Sequence, residues 1–219
     1  MAESSDFQVS QINPQEEIKA YVDLVMGTAG KRLDAKGRAL LEEDLRSPCT
    51  EEIAVFRAFA RVVAQGENRF VVLDTAPTGH TLLLLDATEA YHREVSRKSS
   101  DMPEEVVKLL PRLRDPLFTR ILLVALAEPT PVHEAAALQE DLRRAKIEPF
   151  AWVINQSFAG ADTGDPLLRA RGASELRFIE EVTSRHSHRT ALVPWLAREP
   201  VGPVNLLQLF SESHSLVEN

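Results

Sequence analysis

The sequence predicts an α/β fold built on a parallel sheet. Three observations carry that prediction. Short apolar runs at 70–73, 121–126, 150–154 and 190–193 alternate with amphipathic stretches of helical spacing. The run at 70–73 is continuously apolar, as a strand covered on both faces is. Asp74, Asn155 and Pro194 stand directly after three of them, so polar and turn-forming groups collect at strand carboxyl ends. Open α/β sheets bind their ligands there.

Taken in order, residues 1–13 read as irregular. Asn13 and Pro14 open a helix with Glu16 and Glu17 at its positive end. Ile18, Tyr21, Val22 and Val25 give it helical spacing, and it stops across 27–30. Gly30-Lys31 is no phosphate loop, because Arg32 stands where Ser or Thr is needed and no glycine lies five residues earlier. Asp34 caps a second helix through Arg46, with Leu40, Leu41 and Leu45 expected on its inner side. Ser47-Pro48-Cys49 is expected to break it. Thr50 and Glu52 open a third helix in which Ile53, Phe56, Phe59, Ala60 and Val63 recur until Gly66. Past strand 70–73, helices are expected over 79–97 and 104–113, with a polar break at 99–103. After strand 121–126 come helix 131–146 and strand 150–154, ended by Asn155-Gln156-Ser157. A turn-rich loop at 159–166, helix 167–186, strand 190–193 and a helix over 204–210 complete the alternation. The expected organisation is a helical segment over 1–69, an α/β core over 70–210 and a tail over 211–219.

Composition narrows the function. The 219 residues suffice for one domain with a sizeable core, and 44% hydrophobic with 26% charged residues is ordinary for a soluble protein. A net charge of −8 argues against nucleic acid or an anionic membrane surface as a direct partner. No apolar run approaches the roughly 18–20 residues of a membrane span, and the acidic, polar first residues do not read as a signal peptide. The single cysteine excludes an internal disulfide and suits a reducing cytosol.

Several side chains invite a chemical reading beside a plain one. Asp74 can hold a metal ion through water, and Gly79 lets a backbone approach a phosphate; a strand–Asp–turn is also the ordinary start of a capped helix. Asn155 alone reads as a loop-capping amide. Trp195 reads as a core-edge ring, and Glu128 ends its strand. Cys49 alone reads as a small buried hydrophobe, and His80 as a hydrogen-bonding residue. His186-Ser-His188 closes a helix beside Arg185 and Arg189 and reads as a solvated end. His92, His133 and His214 carry no signal, and the acidic runs at 42–44 and 51–52 read as solvated faces and helix starts.

Asp74-Thr75-Ala76-Pro77-Thr78-Gly79-His80 resembles the signature of the arsenical pump-driving ATPases and of their relatives that deliver tail-anchored membrane proteins. Residues 41–56, with Ser47-Pro48-Cys49, resemble the second half of the pump ATPase just ahead of this signature. The similarity covers nearly the whole chain, from about Val9 to Leu209. It implies a three-layer parallel sheet of the P-loop nucleoside triphosphate hydrolase type, here missing its first strand and phosphate loop. It further implies that Asp74 contacts magnesium through water while residues from Thr75 to Gly79 sense the γ-phosphate. Asn155 would read adenine, and the loop at Pro194 would pack on it. Ser47, Cys49 and His80 match positions that bind metalloid across the interface between two halves. Trivalent arsenic and antimony are soft and favour thiolate, with imidazole as a further donor.

The function the resemblance implies is part of an ATP-driven arsenite or antimonite efflux pump ATPase. ATP and Mg2+ would be its cofactors, and As(III) or Sb(III) its allosteric ligand. Its partners would be the other ATPase half or a second copy, a membrane arsenite efflux channel and an arsenic metallochaperone, with no nucleic acid. It would be cytoplasmic, peripheral to the inner membrane through the channel. In the family the phosphate loop lies upstream of the equivalent of Met1, so a truncated or separately encoded half is expected, inactive as an ATP hydrolase alone. Such a half is expected to be poorly soluble, because a missing central strand leaves edges unpaired. A tail-anchored protein targeting carrier would call for a Cys-x-x-Cys zinc clamp and a methionine-rich client helix, against one cysteine and three methionines here. A non-catalytic remnant that only binds metalloid is the other alternative.

Overall fold

The computed structural model describes residues 7–74, 103–159, 161, 163–212 and 215–216. The expected helix over 79–97 and most of the break at 99–103 lie outside them. The chain divides into two compact units; among the described residues the first holds 7–74 and 103–110, and the second holds those from 111 onward.

The first unit is helical. Helix α1 (Pro14–Thr28) begins as expected, with the Asn13 side chain accepting from the Gln15 N–H at 3.1 Å. Helix α2 (Ala35–Asp44) is capped by Asp34, whose carboxylate accepts from the Gly37 N–H at 2.8 Å. Leu40 does not face inward and is 56% exposed. Leu41 and Leu45, four residues apart, share one face of a helix, and Leu40 is turned about 100° from it. Helix α3 (Pro48–Ala64) starts two residues earlier than its sequence suggests. Ser47 takes the N-cap position and Pro48 the first turn, where a missing N–H costs nothing. The expected breaker therefore belongs to the helix. Ala54, Phe56, Ala58, Ala60 and Val63 are buried, as are Val106, Leu109 and Leu110 of helix α4 (Glu104–Arg114). Glu17 of α1 pairs with Arg61 of α3, and the Arg57 guanidinium lies 5.3 Å from the Tyr21 ring centre.

Residues 70–74 correct the sequence reading. They form no strand, and Phe70 is 93% exposed. An apolar run becomes a strand only where a neighbour completes its hydrogen-bond ladder, and among the described residues none pairs with this one.

The second unit carries the sheet. Strands β1 (Leu122–Ala125), β2 (Ala151–Ser157) and β3 (Thr190–Pro194) are mutually parallel. β4 (Ser215–Leu216), unforeseen in the sequence, adds antiparallel to β3. Helices α5 (Pro129–Arg144) and α6 (Pro166–Glu181) supply the crossovers, and a π-helical turn, Val182–His186, extends α6. Helix α7 (Pro203–Glu212) follows β3. One face of the sheet is buried through Leu123, Ala125, Trp152, Ile154 and Leu192, as are Val132, Leu142, Ile147, Phe178 and Ile179. Trp152 satisfies its indole N–H on the buried Gln139 Oε1 at 2.7 Å, and Gln139 Nε2 donates to the His186 carbonyl at 3.0 Å. The opposite face holds Leu122 and Val124, both exposed. At the turn into β2, hydrogen bonding from Arg143 holds the Glu148 carboxyl below its ordinary value.

Candidate functional site

The carboxyl ends of the three parallel strands converge on one cavity of about 220 Å³. Beyond β1, Leu126, Ala127 and Glu128 line it; Glu128 holds the N-cap position of α5, with extended backbone, ahead of Pro129. At the end of β2 stand Asn155, Gln156 and Phe158, and beyond β3 stands Trp195. Arg171 and Glu175, one turn apart on α6, complete the lining.

Local geometry explains why these groups meet. β2 runs to Ser157, so Asn155 lies within the strand and not after it, as the sequence reading had it. The pairing with β3 shifts register between Ile154 and Ser157, and Gln156 takes a left-handed φ of 53°. Such a bulge re-aims the side chains beside it. The Asn155 Oδ1 accepts from the Gln156 N–H at 3.0 Å, which leaves the amide nitrogen as a donor toward a ligand. The Trp195 N–H donates to the Ser157 carbonyl at 2.9 Å. That bond sets the Trp195 ring on Phe158, with centroids 5.2 Å apart and planes 26° from parallel. Trp195 thus lines the cavity and is not the plain core-edge ring its sequence context suggests. Pro194, beside it, pairs with Ser157 as the last residue of β3.

Charge arrives from α6. Arg171 pairs with Glu128, its guanidinium lies 5.8 Å from the Phe158 ring centre, and its Nε is 4.0 Å from Glu175 Oε1. Glu175 is only 5% exposed, and its Oε2 accepts from Ser157 Oγ at 2.8 Å, the Phe158 N–H at 2.9 Å and the Ala159 N–H at 3.2 Å. Neither Arg171 nor Glu175 was singled out from the sequence. Their four-residue spacing is ordinary for a helix, and only packing brings them to the cavity. An amide donor beside two stacked rings is a donor set that fits a planar heterocycle.

The other expected site residues are not among the described residues that line this cavity. Asp74 is exposed and lies in the irregular stretch that begins at Phe70, while Thr75, Gly79 and His80 lie outside the described residues. Ser47 stands at the N-cap position of α3, with its Oγ 3.4 Å from the side-chain Oγ1 of Thr50. Cys49 sits exposed in the first turn of that helix, not buried as a small hydrophobe. Among the described residues, no group of three His, Cys, Asp or Glu side chains is placed to hold a metal ion.

The model of the family described as anion-transporting ATPase matches residues 3–110 and 86–215. An arsenical pump-driving ATPase of Escherichia coli is 56% identical over 205 residues, 94% of this chain and 35% of that protein. Another of the same description, from Acidiphilium multivorum, is 55% identical over 94% of this chain and 35% of its own length. A further Escherichia coli relative is 54% identical over 93% of the chain. The chain thus spans about 35% of the length of these relatives. With a parallel α/β sheet, a cavity at its carboxyl edge and a family match along nearly all its length, the chain belongs to the anion-transporting ATPases.

Proposed function

We propose that this chain is the adenine-binding and metalloid-sensing part of an ATP-driven arsenite or antimonite efflux ATPase. The observation that carries the reading is the cavity at the sheet's carboxyl edge, where Asn155 and the Phe158–Trp195 stack meet. The kinship with arsenical pump-driving ATPases over 94% of the chain supports it. In this reading the Asn155 amide reads the base edge, and the loop at Pro194 and Trp195 packs on its face. Asp74 holds Mg2+ through water, and residues 75–79 respond to the γ-phosphate. Bound ATP and Mg2+ supply the phosphoryl-transfer chemistry, with the phosphate loop contributed by a partner half or a longer chain. Ser47, Cys49 and His80 supply one side of an As(III) or Sb(III) site that is completed across the interface with that half. Metalloid binding then draws the halves together and favours hydrolysis, and a membrane channel receives the cargo.

The test is ATP hydrolysis by the purified chain, alone and mixed with a phosphate-loop-bearing half, with and without antimonite. Activity confined to the mixture, stimulated by antimonite and losing that stimulation in Cys49→Ser, is expected. Failure of the chain to bind either ATP or antimonite in the mixture overturns the proposal.

A further inference from the structure

Glu175 is a buried carboxylate that the adenine reading leaves without a task. It lies on α6, yet among the described residues its side-chain hydrogen bonds all go to the segment that follows Asn155. Three donors converge on one oxygen, the Ser157 hydroxyl and the Phe158 and Ala159 N–H groups, within 2.8–3.2 Å. A carboxylate accepts all three at once, because it is acceptor-only and carries charge. Gly172, one turn earlier, makes the reach possible. A Cβ there would stand 2.8 Å from both the carbonyl carbon and oxygen of Phe158. The helix therefore lies directly against the strand end, and Glu175 clamps it. The clamped segment contains Phe158 and, through the Ser157 carbonyl, holds Trp195; Asn155 is two residues from the clamped hydroxyl.

We infer that Glu175 is the positioning residue of the base pocket: its carboxylate sets the bulged end of β2, and thereby the Asn155 amide and the Phe158–Trp195 stack, in the register that selects adenine. This rests on the adenine reading above. Glutamine at 175 is nearly isosteric but presents an NH2 and one neutral oxygen to three donors. The segment then loses one or more charge-assisted bonds, and base selection loosens while the fold persists.

The test follows the Trp195 indole resonance by NMR in the chain titrated with adenosine and, separately, with inosine, which carries a carbonyl where adenosine has its amine. The native chain is expected to favour adenosine about tenfold, the scale of one well-placed base-edge contact. Glu175→Gln is expected to reduce that preference to about twofold or less, a ratio that loss of stability alone would not move. Ser157→Ala, which removes one donor and leaves the carboxylate, is expected to fall between them and keeps the test valid if Glu175→Gln fails to fold. Unchanged adenosine preference in the folded variants overturns the role of Glu175 and leaves the pocket reading standing. A native chain that does not distinguish the two nucleosides overturns both.

Discussion

Gly172 shows how much one side chain, or its absence, decides at this site. In an exposed helix its replacement by alanine would stabilise by about 1 kcal/mol, since glycine is the poorer helix former. Here the added methyl would meet the Phe158 carbonyl and come 3.0 Å from the Ala159 nitrogen, all backbone atoms that cannot swing aside. Gly172→Ala is therefore expected to destabilise the chain by roughly 1–3 kcal/mol, measured by urea unfolding; a neutral or stabilising result would mean the helix does not lie this close. Nothing local marks this glycine in the sequence. It sits mid-helix among Arg, Ala and Ser, and its constraint comes from a backbone fourteen residues away along the chain. Asn155 and Pro194 drew notice in the sequence because they follow apolar runs; the stacking of Trp195 and the places of Arg171 and Glu175 did not, because their partners are tertiary.

Among the elements, the prolines teach the clearest lesson. Pro48, Pro129, Pro166 and Pro203 each open a helix, and the sequence reading started each of these helices one or two residues late. Proline removes an N–H that the first turn cannot use, so it marks the start of the helix itself. Helix α5 ends just as specifically. The Ile147 N–H returns to the Leu142 carbonyl and the Lys146 N–H to the Arg143 carbonyl, both at 2.9 Å, and Leu142 and Ile147 are buried. These are the paired bonds and the apolar contact of a Schellman cap. Lys146 occupies its left-handed position at φ 62°, where glycine is the unstrained residue. Lys146→Gly is expected to raise stability by about 0.5–1 kcal/mol, read as a higher thermal midpoint; a lowered midpoint would show that the lysine is held there by something other than the cap.

Across the whole sheet, β1 ends the strand order and presents an unpaired edge among the described residues. Its outward Leu122 and Val124 are 52% and 60% exposed. An unpaired parallel edge with exposed branched side chains is a template for association. The chain alone is expected to self-associate as its concentration rises, and Val124→Lys to suppress this while changing stability by less than about 0.5 kcal/mol. Sedimentation velocity decides it, and a native chain that stays monomeric sinks the idea. The same rule explains residues 70–73, whose apolar pattern promised a buried strand and of which Phe70, Val72 and Leu73 are instead exposed.

Read from sequence alone were the α/β alternation, three strands expected over 121–126, 150–154 and 190–193 and found close to those bounds, the helix caps at Asn13 and Asp34, and the family to which the chain belongs. These follow from local rules: periodicity, capping chemistry and motif, each readable within a window of a few residues. Packing, and not pattern, left the apolar run at 70–73 without a ladder among the described residues, stacked Trp195 on Phe158 at the cavity, and set Glu175 against the end of β2. Each of these depends on which backbone or ring arrives from elsewhere in the chain, and no pattern of neighbours in sequence encodes that arrival.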